Sequence, residues 1–278
     1  MHKSQHHAIF YPQDKTELEQ ACSKRIASRS LTKLPAAILV PHAAYRWSLD
    51  LLHEGFSPVQ DLQPQLVVLL GSLHQESLAS DQPCYLFAPS EDGVSLPTGD
   101  ITFPTELRDN LVKDYPNAIS IQDSYFIEEP GIELTLPMIQ GYFPSVPVLP
   151  LLMGNLEARQ VKTLSSMLFE IVRKIPQTLF VVSANITAIL PDKLATLQAQ
   201  VFSSLLSEGA PLLEAQRQGK ISSCGISALE ALRTQKWGSS HWNLVSFQCK
   251  DKHFDTIPET FDDKDKIVWH CAALRGEA

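Results

Sequence analysis

No apolar run in this 278-residue chain approaches the roughly 20 residues that a membrane-spanning helix needs. The best are residues 66–70 (LVVLL) and 146–153 (VPVLPLLM). The opening stretch MHKSQHHAIFYPQ carries no apolar h-region of a secretory leader, so a cytoplasmic protein without membrane contact is expected. Positive charge is in deficit: 23 Lys and Arg against 31 Asp and Glu leave a net charge of −8. Non-specific nucleic-acid binding, which needs a basic face to displace counterions from phosphates, is excluded on that ground. Cysteine is sparse and scattered. The five thiols (Cys22, Cys84, Cys224, Cys249, Cys271) include no CxxC pair, so no disulfide framework is expected. Internal repeats and low-complexity stretches are missing too.

What is present is material for a core. With 44% hydrophobic and 19% charged residues, the chain is neither disordered nor fibrous. Short apolar runs alternate with helix-period segments, which reads as α/β in a single domain over 1–278. Strands are expected at residues 36–41, 65–70, 83–87, 146–152, 178–183, 242–249 and 267–273. Several are uninterrupted Val/Leu/Ile runs, as suits strands covered on both faces of a mostly parallel or mixed sheet, while the two C-terminal ones suit an edge. Helices are expected at 16–28, 47–55, 106–114, 157–174, 192–206, 211–218 and 226–235. The clearest is 157–174, where Val161, Leu164 and Leu168 recur at helical spacing and Pro176 follows the end. Residues 89–104 and 251–265 read as proline-bearing loops.

Reactive residues stand at the carboxyl ends of three of these strands, where loops of open α/β sheets converge on a crevice. They lie in Val40-Pro41-His42-Ala43-Ala44-Tyr45, in Leu70-Gly71-Ser72-Leu73-His74-Gln75, and in Ser183-Ala184-Asn185. Two imidazoles leaving neighbouring strands can share a metal, and Cys224, just before a helix start that favours its thiolate, is the natural third ligand. Two imidazoles and a thiolate suit iron, copper or zinc rather than magnesium or calcium. Glu133 can serve the same crevice as acid/base or orienting carboxylate. Taken singly, each has a plainer reading: a hydrogen-bonded loop histidine, a packed cysteine, a solvated carboxylate at a helix start. Tyr45 and its aromatic neighbours read as core or pocket lining.

Several strings resemble the Memo family, also called AmmeMemoRadiSam system protein B. AILVPHAAY is similar to APHAGY, LLGSLHQ to LGPSHH, and IEEPGIELTLPMI to DEHSIExHLP. VPVLPLLMG, LFVVSANIT and SSCGISALEAL are similar to IIPVLVG, FVVSSDFCH and the CG motif, in the family's order across nearly the whole chain. The resemblance implies the fold of class III extradiol dioxygenases and a metal, iron first and copper or zinc behind it, on His42, His74 and Cys224. It also implies radical-SAM and AMMECR1-like partners.

The departures bear on activity. Gln75, Pro130, Asn185 and Ala188 replace two histidines, an aspartate and a further histidine of the resembled motifs. This leaves Glu133 as the retained acidic crevice residue, with Gln75, Asn185 and Tyr45 as pocket residues. Gln75 and Asn185 still hydrogen-bond but transfer no proton. Three functions follow. The first is a Memo-like protein with a metal-binding crevice and a binding or regulatory role; a degenerate site would hold no metal. The second is an active non-haem-iron dioxygenase-type oxidoreductase. The third is a Cys224 nucleophile with His42 or His74 as its base.

Overall fold

The computed structural model describes residues 1–27, 30–74, 84–238, 240–250 and 266–277. The N-terminal part runs β1 (His2–Lys3), α1 (Lys15–Ser23), β2 (Ala36–Val40), α2 (Tyr45–Phe56), β3 (Leu66–Ser72), β4 (Leu86–Ala88), β5 (Gly93–Leu96) and β6 (Gly99–Thr102). Then come α3 (Thr105–Asp114), β7 (Ile119–Ile121), α4 (Asp123–Glu128), α5 (Pro130–Glu133), α6 (Leu136–Tyr142), β8 (Val148–Met153) and α7 (Ala158–Lys174). The chain continues with β9 (Thr178–Ser183), β10 (Leu190–Pro191), α8 (Asp192–Glu208), α9 (Leu213–Arg217), α10 (Ile226–Arg233), β11 (Asn243–Lys250) and β12 (Lys266–Arg275).

One mixed sheet organises the molecule, in the order β10-β12-β2-β9-β3-β8-β4-β7, with β11 paired to β12. Its centre is parallel: β2 with β9, β9 with β3, and β3 with β8. Each central strand is buried at every position, which explains the unbroken apolar runs. Successive side chains nevertheless go to opposite faces. Leu39, Val68, Leu70, Phe180 and Val182 pack with Leu164, Leu168, Phe202 and Leu229 from α7, α8 and α10. Ile38, Val40, Val67, Leu69 and Val181 pack with Leu18, Leu52, Phe56 and Ile139 from α1, α2 and α6.

Helix α7 begins one residue later than the pattern suggests. Glu157 is its N-cap, in a capping box with Gln160, and Arg173 and Lys174 occupy its last turn. Two other expectations change. Strand β12 is internal, pairing with β2 through Ala273–Leu39 and with β11 on its other flank; only β11 takes the outer position. The stretch 89–104 is a hairpin rather than a loop, β5 against β6, and with β1 it forms a second, three-stranded sheet. Of the other expected loop, residues 251–265 fall outside the described residues. Among those described, no helix is long and apolar enough to cross a membrane.

Candidate metal centre

The register of the parallel strands assembles this site. Ser183 of β9 stands opposite Val40 of β2 on one side and Gly71 of β3 on the other. The residues that follow these positions therefore emerge side by side. His42 lies two residues beyond β2 and His74 two beyond β3, and the turns are pinned by Ala184 N–H to Val40 O (2.9 Å) and Leu73 N–H to Met153 O (2.8 Å). Cys224 arrives from another direction, just ahead of α10. Its neighbour Gly225 must be glycine, because a Cβ there would lie 2.5 Å from Ala184 Cβ. That close approach lays the thiol against the end of β9, and Ser72 Oγ–H and Ser223 Oγ–H clamp the loop by donating to Cys224 O and Asn185 O, each at 2.7 Å.

Three donor atoms converge. One nitrogen of His42, one of His74 and the Cys224 sulfur all lie within 4.8 Å of one another. His42 Nε2 is 3.7 Å from Cys224 Sγ, and the two imidazole rings stand edge-on, centroids 5.0 Å apart at 83°. Metal bonds of roughly 2.0–2.3 Å at tetrahedral angles separate neighbouring ligands by about 3.5 Å, so this donor set fits a first-row transition ion after small closure. Each ring has its other nitrogen occupied. His42 Nδ1 faces Ser183 O at 3.2 Å. His74 Nδ1 faces Glu129 Oε2 at 2.9 Å, and the same oxygen accepts the His74 backbone N–H at 2.9 Å. These acceptors assign Nδ1–H to both rings and leave Nε2 for a ligand.

Without a cation, the charges rearrange among the same groups. Burial pushes the Cys224 thiol up, but the imidazoles of His42 and His74 outweigh it and draw the thiol down to about 5. The Asn185 backbone N–H, 3.2 Å from Sγ, adds a donor to the resulting thiolate. His74 is pushed up to about 10 by its hydrogen bonds with Cys224 and Glu129. Burial pushes Glu129 up as well, yet the His74 contact holds it below the usual carboxylate range. A thiolate–imidazolium–carboxylate chain results.

The other sequence candidates take separate places. Asn185 is at the site, its N–H on Cys224 and its Oδ1 accepting from His270 Nδ1 at 2.7 Å. Glu133 is used differently from the acid/base role the sequence suggested. Its carboxylate accepts the N–H groups of Gln5 and His6 (2.8–3.1 Å) and the Tyr11 hydroxyl (2.7 Å), tying the N-terminal segment to α5. The Tyr45 hydroxyl donates to Leu134 O at 3.0 Å inside the core, and Tyr45 is absent from the crevice lining. Gln75 lies outside the described residues.

Two further residues belong to the site, and the sequence marks them faintly or not at all. Glu129, rather than Glu133, is the carboxylate that touches the trio, through His74. Its signal was an acidic residue directly before a proline at a helix start, and it is indeed the N-cap of α5. His270, in the closing strand, carried no spacing signal at all. A crevice of about 330 Å³ opens over the centre, lined by His42, His74, Glu128, Glu129, Pro130 and Gly131.

Comparisons with known proteins agree with this architecture. The family model described as Memo-like protein matches residues 3–247. A MEMO1 family protein of Thermotoga maritima is 25% identical over 251 residues, covering 81% of this chain and 84% of that protein. The crystal structure of an uncharacterized protein from Escherichia coli K12 superposes with a TM-score of 0.51, at 12% identity, over 87% of this chain and 99% of the other. That last likeness is one of fold.

Proposed function

This chain belongs to the Memo family, and from that premise we propose that it binds one transition-metal ion per chain through His42, His74 and Cys224 and works as a metal-dependent binding or regulatory protein. The observation that carries the reading is the convergence of three donors, from three separated chain segments, to within 4.8 Å of one another. Two imidazoles and a thiolate suit iron, copper and zinc alike, and the family resemblance makes iron the first choice of ion and copper or zinc the next. When bound, such an ion would supply Lewis acidity and, as iron or copper, one-electron redox chemistry.

The residues around it favour holding over turnover. Pro130 and Gly131 form the crevice wall beside His42 and His74 and offer no side-chain proton. Asn185 donates its backbone N–H to the sulfur, and its side-chain oxygen is engaged by His270. Glu129 is buried and fully hydrogen-bonded, so it orients rather than shuttles. General acid–base catalysis needs a titrating group within reach of the substrate, and among the described residues of this wall the exposed carboxylate of Glu128 is the one such group beyond the ligands and their partner Glu129.

Metal-stripped protein should be reconstituted anaerobically with Fe(II), and in parallel with Cu(I) and Zn(II), then desalted and measured by elemental analysis. One equivalent per chain is expected. His42→Ala, His74→Ala and Cys224→Ala should each lose it while the metal-free forms stay folded. Failure of every ion to bind stoichiometrically would remove the reading. If the iron form consumes O₂ with catechol-type compounds and His74→Ala does not, the protein is a dioxygenase-type oxidoreductase and the binding-only role falls.

A further inference from the structure

Glu129 is 3% exposed, and both of its oxygens are committed. Oε1 accepts the Gly131 N–H at 3.1 Å. Oε2 accepts two groups of one residue, the backbone N–H and the ring Nδ1–H of His74, each at 2.9 Å. A plain helix N-cap would need only the first of these three bonds. The other two fix the main chain and the ring of His74 together, at the point where the chain leaves β3. The two histidines of the centre are thereby made unequal. His42 leans on a neutral acceptor, the Ser183 carbonyl, whereas His74 leans on a buried carboxylate. A carboxylate partner raises the donor strength of an imidazole more than a carbonyl does, because it stabilises the positive charge that the ring acquires on binding a cation. Counting charge, one thiolate and one carboxylate balance a divalent ion, and leave a monovalent one with excess negative charge.

We propose that Glu129 is the positioning residue of this centre: it locks His74 with Nε2 toward the shared ligand point and supplies the second negative charge that favours a divalent ion over monovalent copper. The proposal rests on the metal-binding reading above and deepens it.

The side-chain chemistry predicts how each variant behaves. In Glu129→Gln the amide offers only one oxygen where the carboxylate offers two, so at least one N–H of His74 or Gly131 loses its acceptor, and the charge is gone as well. Glu129→Ala removes the lock altogether. Glu129→Asp keeps the charge on a shorter stem. Metal-stripped full-length protein and the three variants should be titrated with Co(II) in the visible range, then with Zn(II) and Cu(I) against chromophoric chelators. Glu129→Gln should weaken Zn(II) binding by roughly 10- to 100-fold and shift the Co(II) ligand-field bands, with Cu(I) affinity falling far less. Glu129→Asp should recover part of the Zn(II) affinity, and Glu129→Ala should lose affinity for both ions. Circular dichroism of the metal-free forms controls for folding.

Zn(II) affinity within about twofold of the parent in Glu129→Gln, with an unchanged Co(II) spectrum, would overturn the proposal and leave the metal centre standing. Equal weakening of Zn(II) and Cu(I) in that variant would overturn its charge-selecting part. A parent protein that takes up no metal would end both readings, and that outcome differs from the others because parent and variants then behave alike.

Discussion

In metal-free protein, Cys224 should behave as a thiolate held between two imidazoles. A depressed thiol gains its charge as pH rises through about 5, so its reactivity should be flat above that point. At about pH 6, roughly nine-tenths of Cys224 is then ionised, against roughly 0.3% of a free thiol of pKa about 8.5. Its intrinsic nucleophilicity is lower by roughly 30-fold, because attack on a disulfide weakens with falling basicity at a slope of about 0.4–0.5. The net result is an advantage of roughly tenfold at about pH 6 and a deficit of roughly 30-fold at about pH 9, where the free thiol has ionised too.

Replacing His74 by Gln removes one imidazole. The donor atoms lie within 4.8 Å, and a full charge at that distance is worth roughly 3–4 kcal/mol at an effective dielectric of about 20, or about two and a half pKa units. The flat profile should therefore become one that climbs through roughly pH 7–8. The assay is the rate of modification by a small aromatic disulfide, read at Cys224 by peptide mass spectrometry, with the buried Cys271 as internal control. Profile shape does not depend on how easily the probe reaches a half-buried sulfur. A parent rate rising about tenfold per pH unit between about pH 6 and 8, or a His74→Gln profile identical to the parent's, would refute the electrostatic argument.

Glu133→Ala leaves the buried Tyr11 hydroxyl and the half-buried His6 N–H without their acceptor, along with the exposed Gln5 N–H, and should cost about 2–3 kcal/mol in urea unfolding. Metal stoichiometry should survive that change; its loss without destabilisation would return Glu133 to the crevice. Gly225→Ala forces a Cβ to 2.5 Å from Ala184 and should cost about 1–3 kcal/mol through overpacking, with weakened metal uptake because Cys224 moves. Unchanged melting and uptake would show that the loop relaxes freely.

The central strands were legible because burial on both faces leaves an unbroken apolar signature, as in residues 66–70 and 178–183. His42, His74 and Cys224 were legible because each sits at a strand end or helix start, where position alone restricts what a residue meets. The β5–β6 hairpin was not: its strands are only four residues each, and flanking Pro89 and Pro104 imitate a loop. Segment 123–142 hid three short helices for a related reason. Pro130 and Pro137 look like breakers but stand in the first turns of α5 and α6, where a missing N–H costs nothing. The roles of Glu129 and Glu133 depended on partners 55 and 122–128 residues away. The proline after Glu129 marks it as a helix cap, but no local pattern tells which of the two carboxylates meets His74.

Because β12 fills the outer flank of β2 and His270 braces Asn185, the segment carrying His42 lacks one of its two neighbours until residues 266–275 have emerged from the ribosome. A nascent chain thus carries two histidines and a thiol before the last strand of their scaffold exists. On the proposed metal-binding reading, uptake waits for β12, and products truncated ahead of that strand should fail to hold a cation.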